Sequence, residues 1–392
     1  MAKSNMLFQV LQELDWIKFD EAVLKHQGDK SSKGFSCRGQ LTSMLYCQLA
    51  NARSLSEISN GLSGESSLLS QYGIKKAPPK QTLSYANKTR AWEIYSDFYQ
   101  YMLNRARNEL KSMGLRTKLR IKNPLKSLDA TLIPVCLEAF DWALYRQTKG
   151  ALKINLVLDH EGYLPEFAFM TDGKTHELEY ARDLELAPGT VVLMDRAYCD
   201  YGLLKTWDEK GLYFVSKLKS NAAYDVVEER DIPKTYQDDI FDDQVIQLSK
   251  NGLKLRRVVA LDTKGETAVL LTNNMDWAAS TIVALYRERW AIEIFFRDLK
   301  CHFRVKTFVG TSVNAVMIQI WTALLAILLL KYLKLKSRTG WSLSNLIALI
   351  RVNLFNTCDL MEWLSGGSPG NGDPPESGQL TQPDLFLDSV KA

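Results

Sequence analysis

Tyr286-Arg-Glu-Arg289-Trp-Ala-Ile-Glu293-Ile-Phe-Phe-Arg-Asp-Leu-Lys300 holds neither glycine nor proline and few β-branched residues, so it reads as helix. At about 100° per residue, Arg289, Glu293 and Lys300 fall with Tyr286 on a stripe about 60° wide. Ile292, Phe295, Phe296 and Leu299 form an apolar arc beside it, broken by Glu288. A carboxylate bracketed by cations at the edge of a buried face is where a metal-dependent phosphoryl-transfer site would hold its last ligand. The plainer alternative is an amphipathic helix whose Arg289–Glu293 and Glu293–Arg297 pairs lie on a solvated face.

The rest of the chain narrows the choice. Its 392 residues, 46% hydrophobic, can bury a large core and predict two or three domains. The net charge of +4 is unevenly spread: residues 1–128 hold 20 Lys+Arg against 10 Asp+Glu. The steepest part is 101–128, with eight basic residues and one acid, Glu109. A basic front joined to an acidic remainder points to nucleic acid on one part and metal-binding carboxylates on another; a solvated helix face with a lysine-rich linker gives the same charge. Six cysteines show no C-x-x-C pair and no ligand spacing with the four histidines, which predicts free thiols and no structural zinc. The N-terminus lacks the pattern of a signal peptide. The apolar run Val316 to Leu330 falls short of the roughly 20 residues of a membrane span and predicts a buried helix.

Along the chain, residues 1–72 predict short helices, one opened by the capping box Ser54-Leu-Ser-Glu57. Helix, turn and capped helix are compatible with a helix-turn-helix. Thr82 to Glu109 predicts one or two long helices whose aromatics are mostly core. From Leu125 the period changes to strands: Leu128 to Ile133 with Asp129 in its middle, then Leu152–Leu158 and Tyr163–Met170 around the turn Asp159-His-Glu-Gly162. Thr190 to Met194 predicts a buried parallel strand ending on Asp195, and Leu212 to Leu218 another strand. Between Ser220 and Asn273 lies a polar, acid-rich, β-rich insertion, and the Gly/Pro/Ser-rich tail from Ser365 predicts disorder.

Asp129 interrupts an apolar strand and Asp195 ends one, so each needs a partner or a metal if buried. Carboxyl ends of strands in an open α/β sheet are where ligands sit. Asp159 and Asp200 are rivals that fit the strand pattern less well. With Glu293, the two aspartates could converge on hard cations, for which few carboxylates suffice and no His or Cys is needed.

The spacing Tyr286-x2-Arg289-x3-Glu293-x6-Lys300, after Leu128-Asp-Ala-Thr131, Met194-Asp-Arg-Ala-Tyr198 and Leu271-Thr-Asn273, resembles the DDE transposases of bacterial insertion sequences. It is most similar to the family-four branch with its Y-R-E-K signature, over roughly residues 80–365. The resemblance implies an α/β fold: an RNase H-like catalytic domain with a β-rich insertion, preceded by a helical N-terminal DNA-binding region. It divides the chain into residues 1–78 (DNA binding), 79–124 (a helical basic connector), 125–219 (first part of the core), 220–273 (the insertion), 274–364 (second part and C-terminal helices) and 365–392 (tail). It further implies that Asp129, Asp195 and Glu293 hold Mg²⁺ or Mn²⁺, as two ions, and that Tyr286, Arg289 and Lys300 hold DNA phosphates. The implied partners are double-stranded DNA, as terminal repeats and target, and a second copy in a homodimeric synapse; the implied setting is the bacterial cytoplasm, at the nucleoid. In that family a freed 3′-hydroxyl attacks the opposite strand to give a hairpin. Trp290 could stack on an extruded base, although core packing is the simpler expectation. The rivals are a non-catalytic DNA-binding repressor and an RNase H-like nuclease.

Overall fold

The structure, a computed structural model, describes residues 4–30, 32, 34–65, 69–72, 74–113, 121–135, 140, 144–146, 149–172, 177–233, 239–262 and 265–365. The tail 366–392 and the stretch 114–120 of the basic run lie outside the described residues. In chain order the elements are helices α1 (Met6–Gln12), α2 (Trp16–Lys25), α3 (Cys37–Leu49), α4 (Leu55–Ser63), α5 (Lys80–Thr89) and α6 (Glu93–Ser112), then β1 (Leu125–Val135), β2 (Leu144–Arg146), β3 (Lys149–Asp159), β4 (Leu164–Asp172), α7 (Glu177–Arg182), β5 (Val191–Met194), α8 (Tyr201–Glu209) and β6 (Tyr213–Lys217). After these come β7 (Tyr224–Glu229), β8 (Ile240–Leu248), β9 (Lys254–Leu261), β10 (Thr267–Thr272), α9 (Ala279–Glu288), α10 (Trp290–His302), α11 (Val313–Ser337), α12 (Leu343–Val352) and α13 (Leu360–Leu364). They form two compact units, Met1–Leu115 with Asp298–Ala392, and Arg116–Arg297. Helix α10 crosses the division at Asp298.

The second unit is a mixed α/β layer built on one large sheet. Its strand order is β2-β3-β1-β5-β6-β10-β9-β8-β7, with β4 also paired to β3. β1, β3 and β4 are an antiparallel meander, whereas β1, β5 and β6 run parallel. Period-two alternation in β5 sends Val192 and Met194 into one core with Leu203, Leu204 and Trp207 of α8. Val191 and Leu193 enter the other core with Ile282, Leu285 and Tyr286 of α9. All four β5 residues are buried, as a parallel strand covered on both faces requires. The stretch expected as an insertion is strand-rich, and it joins the same sheet: β10 pairs antiparallel with β6, followed by β9, β8 and β7.

The first unit is helical, and its short helices start where side chains cap them. Asn5, Asp15, Ser36 and Ser54 accept from the backbone N–H groups of Phe8, Lys18, Gly39 and Glu57 at 2.9–3.2 Å. Glu57 answers by accepting from the Arg53 N–H at 2.8 Å, one residue earlier than a standard capping box. Of the aromatics expected in the core, Tyr95, Phe98 and Tyr99 are buried on α6, whereas Tyr85 of α5 is exposed.

Helix α11 has the length and composition of a membrane span, but 83% of its apolar window is buried inside the protein. It is the core helix of this unit, packed against α3, α5 and α6. The two polar residues that interrupt its apolar run have structural partners. Gln319 accepts from the Val309 N–H at 2.9 Å and donates to the Thr307 carbonyl at 2.9 Å and the Arg304 carbonyl at 2.5 Å. Gln48 of α3 accepts from the Arg304 N–H at 2.8 Å, so two buried glutamines hold the loop after α10. Thr322 returns its hydroxyl to the Ile318 carbonyl at 2.8 Å. Gln319→Leu adds apolar surface yet removes the side-chain partner of three part-buried backbone groups, each worth up to about 1–3 kcal/mol where water cannot reach it. Urea unfolding followed by helical signal should therefore show lower stability; an unchanged or raised midpoint would mean that water replaces these bonds.

Candidate active site

Leu128 pairs with Met194 as the last rung of the parallel β1–β5 ladder, so the residues that follow them, Asp129 and Asp195, come next to each other. Asp129 remains within β1, its side chain 19% exposed and one oxygen accepting from the Ala130 N–H at 2.7 Å. Asp195 lies just past β5 and accepts from the Ala197 N–H at 2.5 Å, opening a short 3₁₀ turn. The Ser216 hydroxyl of β6 donates to the Asp195 carbonyl at 3.1 Å and fixes the strand end.

The third carboxylate comes from the helices. The expected continuous helix through Tyr286–Lys300 is interrupted at Arg289, where α9 ends and α10 begins. Arg289 keeps right-handed helical dihedrals, but its N–H donates to the Tyr286 carbonyl at 3.1 Å and its carbonyl accepts from Ile292 N–H at 3.2 Å. Both are i to i+3 bonds, so one tight turn replaces the α-helical ladder between α9 and α10. The approach to α9 is anchored by Arg256, which makes a two-pronged bond to Asp243 at 2.8 and 2.6 Å and also donates to the Met275 and Trp277 carbonyls.

At this junction Arg289 is 13% exposed and faces the acids. Its Nη2 donates to Glu293 Oε1 at 2.5 Å, and Nη1 lies 3.9 Å from Asp129 Oδ2. The guanidinium also lies over the Tyr286 ring, 5.6 Å from its centroid. The plainer alternative thus describes part of the arrangement: the Arg289–Glu293 pair exists, but partly buried and aimed at a second acid.

Burial, with smaller contributions from the charges of Asp195 and Glu293, pushes the Asp129 carboxyl up to about 7 against the opposing Ala130 N–H and Arg289. Burial also raises the Tyr286 phenol. For Arg289 burial works against the charge, yet Tyr286, Glu293 and Asp129 outweigh it and hold the guanidinium above its ordinary value. The acids therefore feel one another and lack positive charge, and Arg289 partly supplies it. Among the described residues no three His, Cys, Asp or Glu side chains close round one point tightly enough to hold an ion. The donor chemistry, oxygen only and short of positive charge, fits a hard divalent cation.

The rival aspartates serve local structure. Asp200 caps α8 through the Leu203 N–H at 3.0 Å, and Asp159 accepts from Glu161 N–H at 2.9 Å beside Lys126. Lys300 lies on α10 beyond Asp298, in the helical unit. Trp290 corrects the core-packing expectation: it is 36% exposed, since it comes directly after the tight turn rather than on the apolar arc. Lys217 escaped the sequence reading. It ends β6, the parallel neighbour of β5, with its ammonium 5.7 Å from the Tyr286 ring centroid and 3.3 Å from Asp262. Its position at a strand end was the available signal.

An aspartate within β1 and another just past β5, near a helix-borne glutamate, make an acid triad on an α/β sheet. A family model for the transposase DDE domain matches residues 122–329, more than half of the chain, and the chain belongs to this family, as a transposase of the bacterial DDE type. A second model, for a domain of unknown function (DUF4372), matches residues 3–75. The chain is 30% identical over 257 residues to the probable transposase for insertion sequence element IS5377 of Geobacillus stearothermophilus, covering 64% of this chain and 67% of that one. It is 29% identical over 262 residues to y4zB of Sinorhizobium fredii, which also bears a transposase name, covering 65% and 71%. Among solved structures, the piggyBac transposase synaptic complex with hairpin DNA is similar at a TM-score of 0.45 and 12% identity, covering 95% of this chain and 87% of that one.

The raised Asp129 carboxyl sets a pH dependence. Because the folded chain holds this proton up to about pH 7 while the unfolded chain loses it near the ordinary carboxylate value, folded protein binds more protons in between. The stabilising contribution is therefore full at low pH and is lost as pH rises through about 7. In chelator, Asp129→Asn should melt like wild type at pH 4 and higher than wild type at pH 8, by on the order of 2 kcal/mol. A difference that stays constant over this range would contradict the buried-charge account.

Proposed function

We propose that the chain binds the ends of its insertion sequence and carries out divalent-metal-dependent strand cleavage and strand transfer on an RNase H-like core. The observation that carries this reading is the pairing that sets Asp129 beside Asp195, with Glu293 and Arg289 presented by the α9–α10 junction. The antiparallel meander β1, β3 and β4, continued by parallel β5 and β6, supports the RNase H-like assignment. Asp129, Asp195 and Glu293 would hold Mg²⁺ or Mn²⁺, as two ions. When bound, such ions activate the attacking oxygen and steady the leaving one.

The protein side of the chemistry is positioning and charge. Arg289, relieved of neutralising Glu293, would turn its fork to a phosphate, for which a planar guanidinium is suited. Tyr286 walls the site on its apolar side and would hold a backbone phosphate, as would Lys300. The basic front, with residues 1–78 as end-binding domain, would supply most of the affinity, and two copies would synapse two ends. The reaction belongs in the bacterial cytoplasm, at the nucleoid.

On DNA carrying the element's ends, with Mg²⁺, Asp129→Asn, Asp195→Asn and Glu293→Gln should each abolish strand cleavage while gel-shift binding persists. Full cleavage by any one of them removes that residue from the catalytic role. Arg289→Ala should cleave on the order of 10²-fold more slowly, because the reacting strand loses its clamp, and Arg289→Lys should recover part of the rate. Arg287 donates to the Leu261 carbonyl at 3.2 Å on the exposed side and is the control. Equal rates for Arg287→Ala and Arg289→Ala would refute the clamp.

A further inference from the structure

Ser127 and His160, both buried, form with the half-buried Glu288 a chain that the proposed chemistry leaves unused. Ser127 precedes Asp129 by two residues on β1 and so shares its face of the sheet. Its Oγ lies 2.7 Å from His160 Nε2, and both residues are closed to solvent, at 0% and 2% exposure. The His160 backbone N–H also donates to the Leu125 carbonyl of β1 at 3.0 Å. On the other side of the ring, Nδ1 lies 3.8 Å from Glu288 Oε2, and that oxygen accepts from the Tyr163 hydroxyl at 3.1 Å. Glu288 is the last residue of α9 and adjoins Arg289.

Serine, histidine and acid in this order would activate a nucleophile if a substrate could reach the serine. The burial of Ser127 removes that role. What the chain does span is the interval between the strand bearing Asp129 and the junction bearing Arg289 and Glu293. With the Ser127 hydroxyl donating to Nε2, the ring proton sits on Nδ1 and faces the Glu288 carboxylate. Nδ1 makes no hydrogen bond among the described residues. Closing its gap by about 1 Å would make one and draw the junction toward β1.

We infer that His160 is a positioning residue of the acid triad: the Ser127–His160–Glu288 chain sets the spacing between Asp129 and the α9–α10 junction. This rests on the proposed role of that triad. A misplacement of about 1 Å in such a site costs on the order of 10²-fold in rate, so the chain matters without touching substrate.

The test compares cleavage of bound end DNA with binding affinity, and tracks Trp290 fluorescence on adding Mn²⁺ alone, with Trp290→Phe identifying its signal. His160→Gln and Glu288→Ala should each slow cleavage about 10²-fold at unchanged Kd for the ends, and abolish the Mn²⁺-induced Trp290 change. Glu288→Gln keeps an acceptor for Nδ1–H and should recover most of the rate. The double variant His160→Gln/Glu288→Ala should be no slower than the slower single one, because both break one chain. Wild-type rates in the single variants, or losses that multiply, would overturn the inference. Should His160→Gln fail to fold, Ser127→Ala and Glu288→Ala decide by the same readouts. Failure of the wild type to cleave would instead sink the strand-cleavage reading, and the Trp290 response would still decide the positioning role.

Discussion

Four backbone pairs between β1 and β5, from Leu125↔Val191 to Leu128↔Met194, put two carboxylates side by side where the parallel ladder ends. The side-chain period of a strand is two, so a slip of one residue would turn Asp129 to the opposite face and expose the apolar residues around it. The two cores prevent that slip, because Leu128 belongs to one and Leu125 to the other. Hydrophobic packing thus holds the register, and the register sets like charges next to each other at a cost.

That cost is visible in Asp129, whose carboxyl burial and neighbouring acids push to about 7. Arg289 offsets part of it from the α9–α10 junction. In the proposed function the same arginine turns to a DNA phosphate once bound cations neutralise the acids. At the tight turn, i to i+3 bonds interrupt the helix, yet Arg289 keeps its i,i+4 pair with Glu293 and also lies near Asp129.

Several polar groups in the interior share one role. Gln319 and Gln48 satisfy the backbone of the loop after α10, and Arg256 with Asp243 ties β8 and β9 to the approach of α9. Each of these side chains is itself buried and specifies the course of a loop rather than adding apolar area. Ser127, His160 and Glu288 conform to it with a gap of 3.8 Å left at Nδ1.

The sequence by itself determined what depends on near neighbours. β-rich apolar runs marked β1, β3 and β5, the Ser54 box marked α4, and an aspartate inside one apolar run and at the end of another marked Asp129 and Asp195. Glu293 with its flanking cations was legible from helical spacing, and together these carried the DDE transposase family. Tertiary structure decided what depends on residues far apart in the chain: the register that sets Asp129 beside Asp195, and the packing that brings Arg289 to Asp129. It also decided that Trp290 reaches the surface, that residues 298–365 fold with the first 115, and that His160 meets Ser127 and Glu288. Propensity and periodicity act over a few residues and so can be read from the chain. Strand pairing, burial and the partner of a buried polar group are settled only when distant segments pack together, because each depends on the mutual fit of residues that the chain order keeps apart.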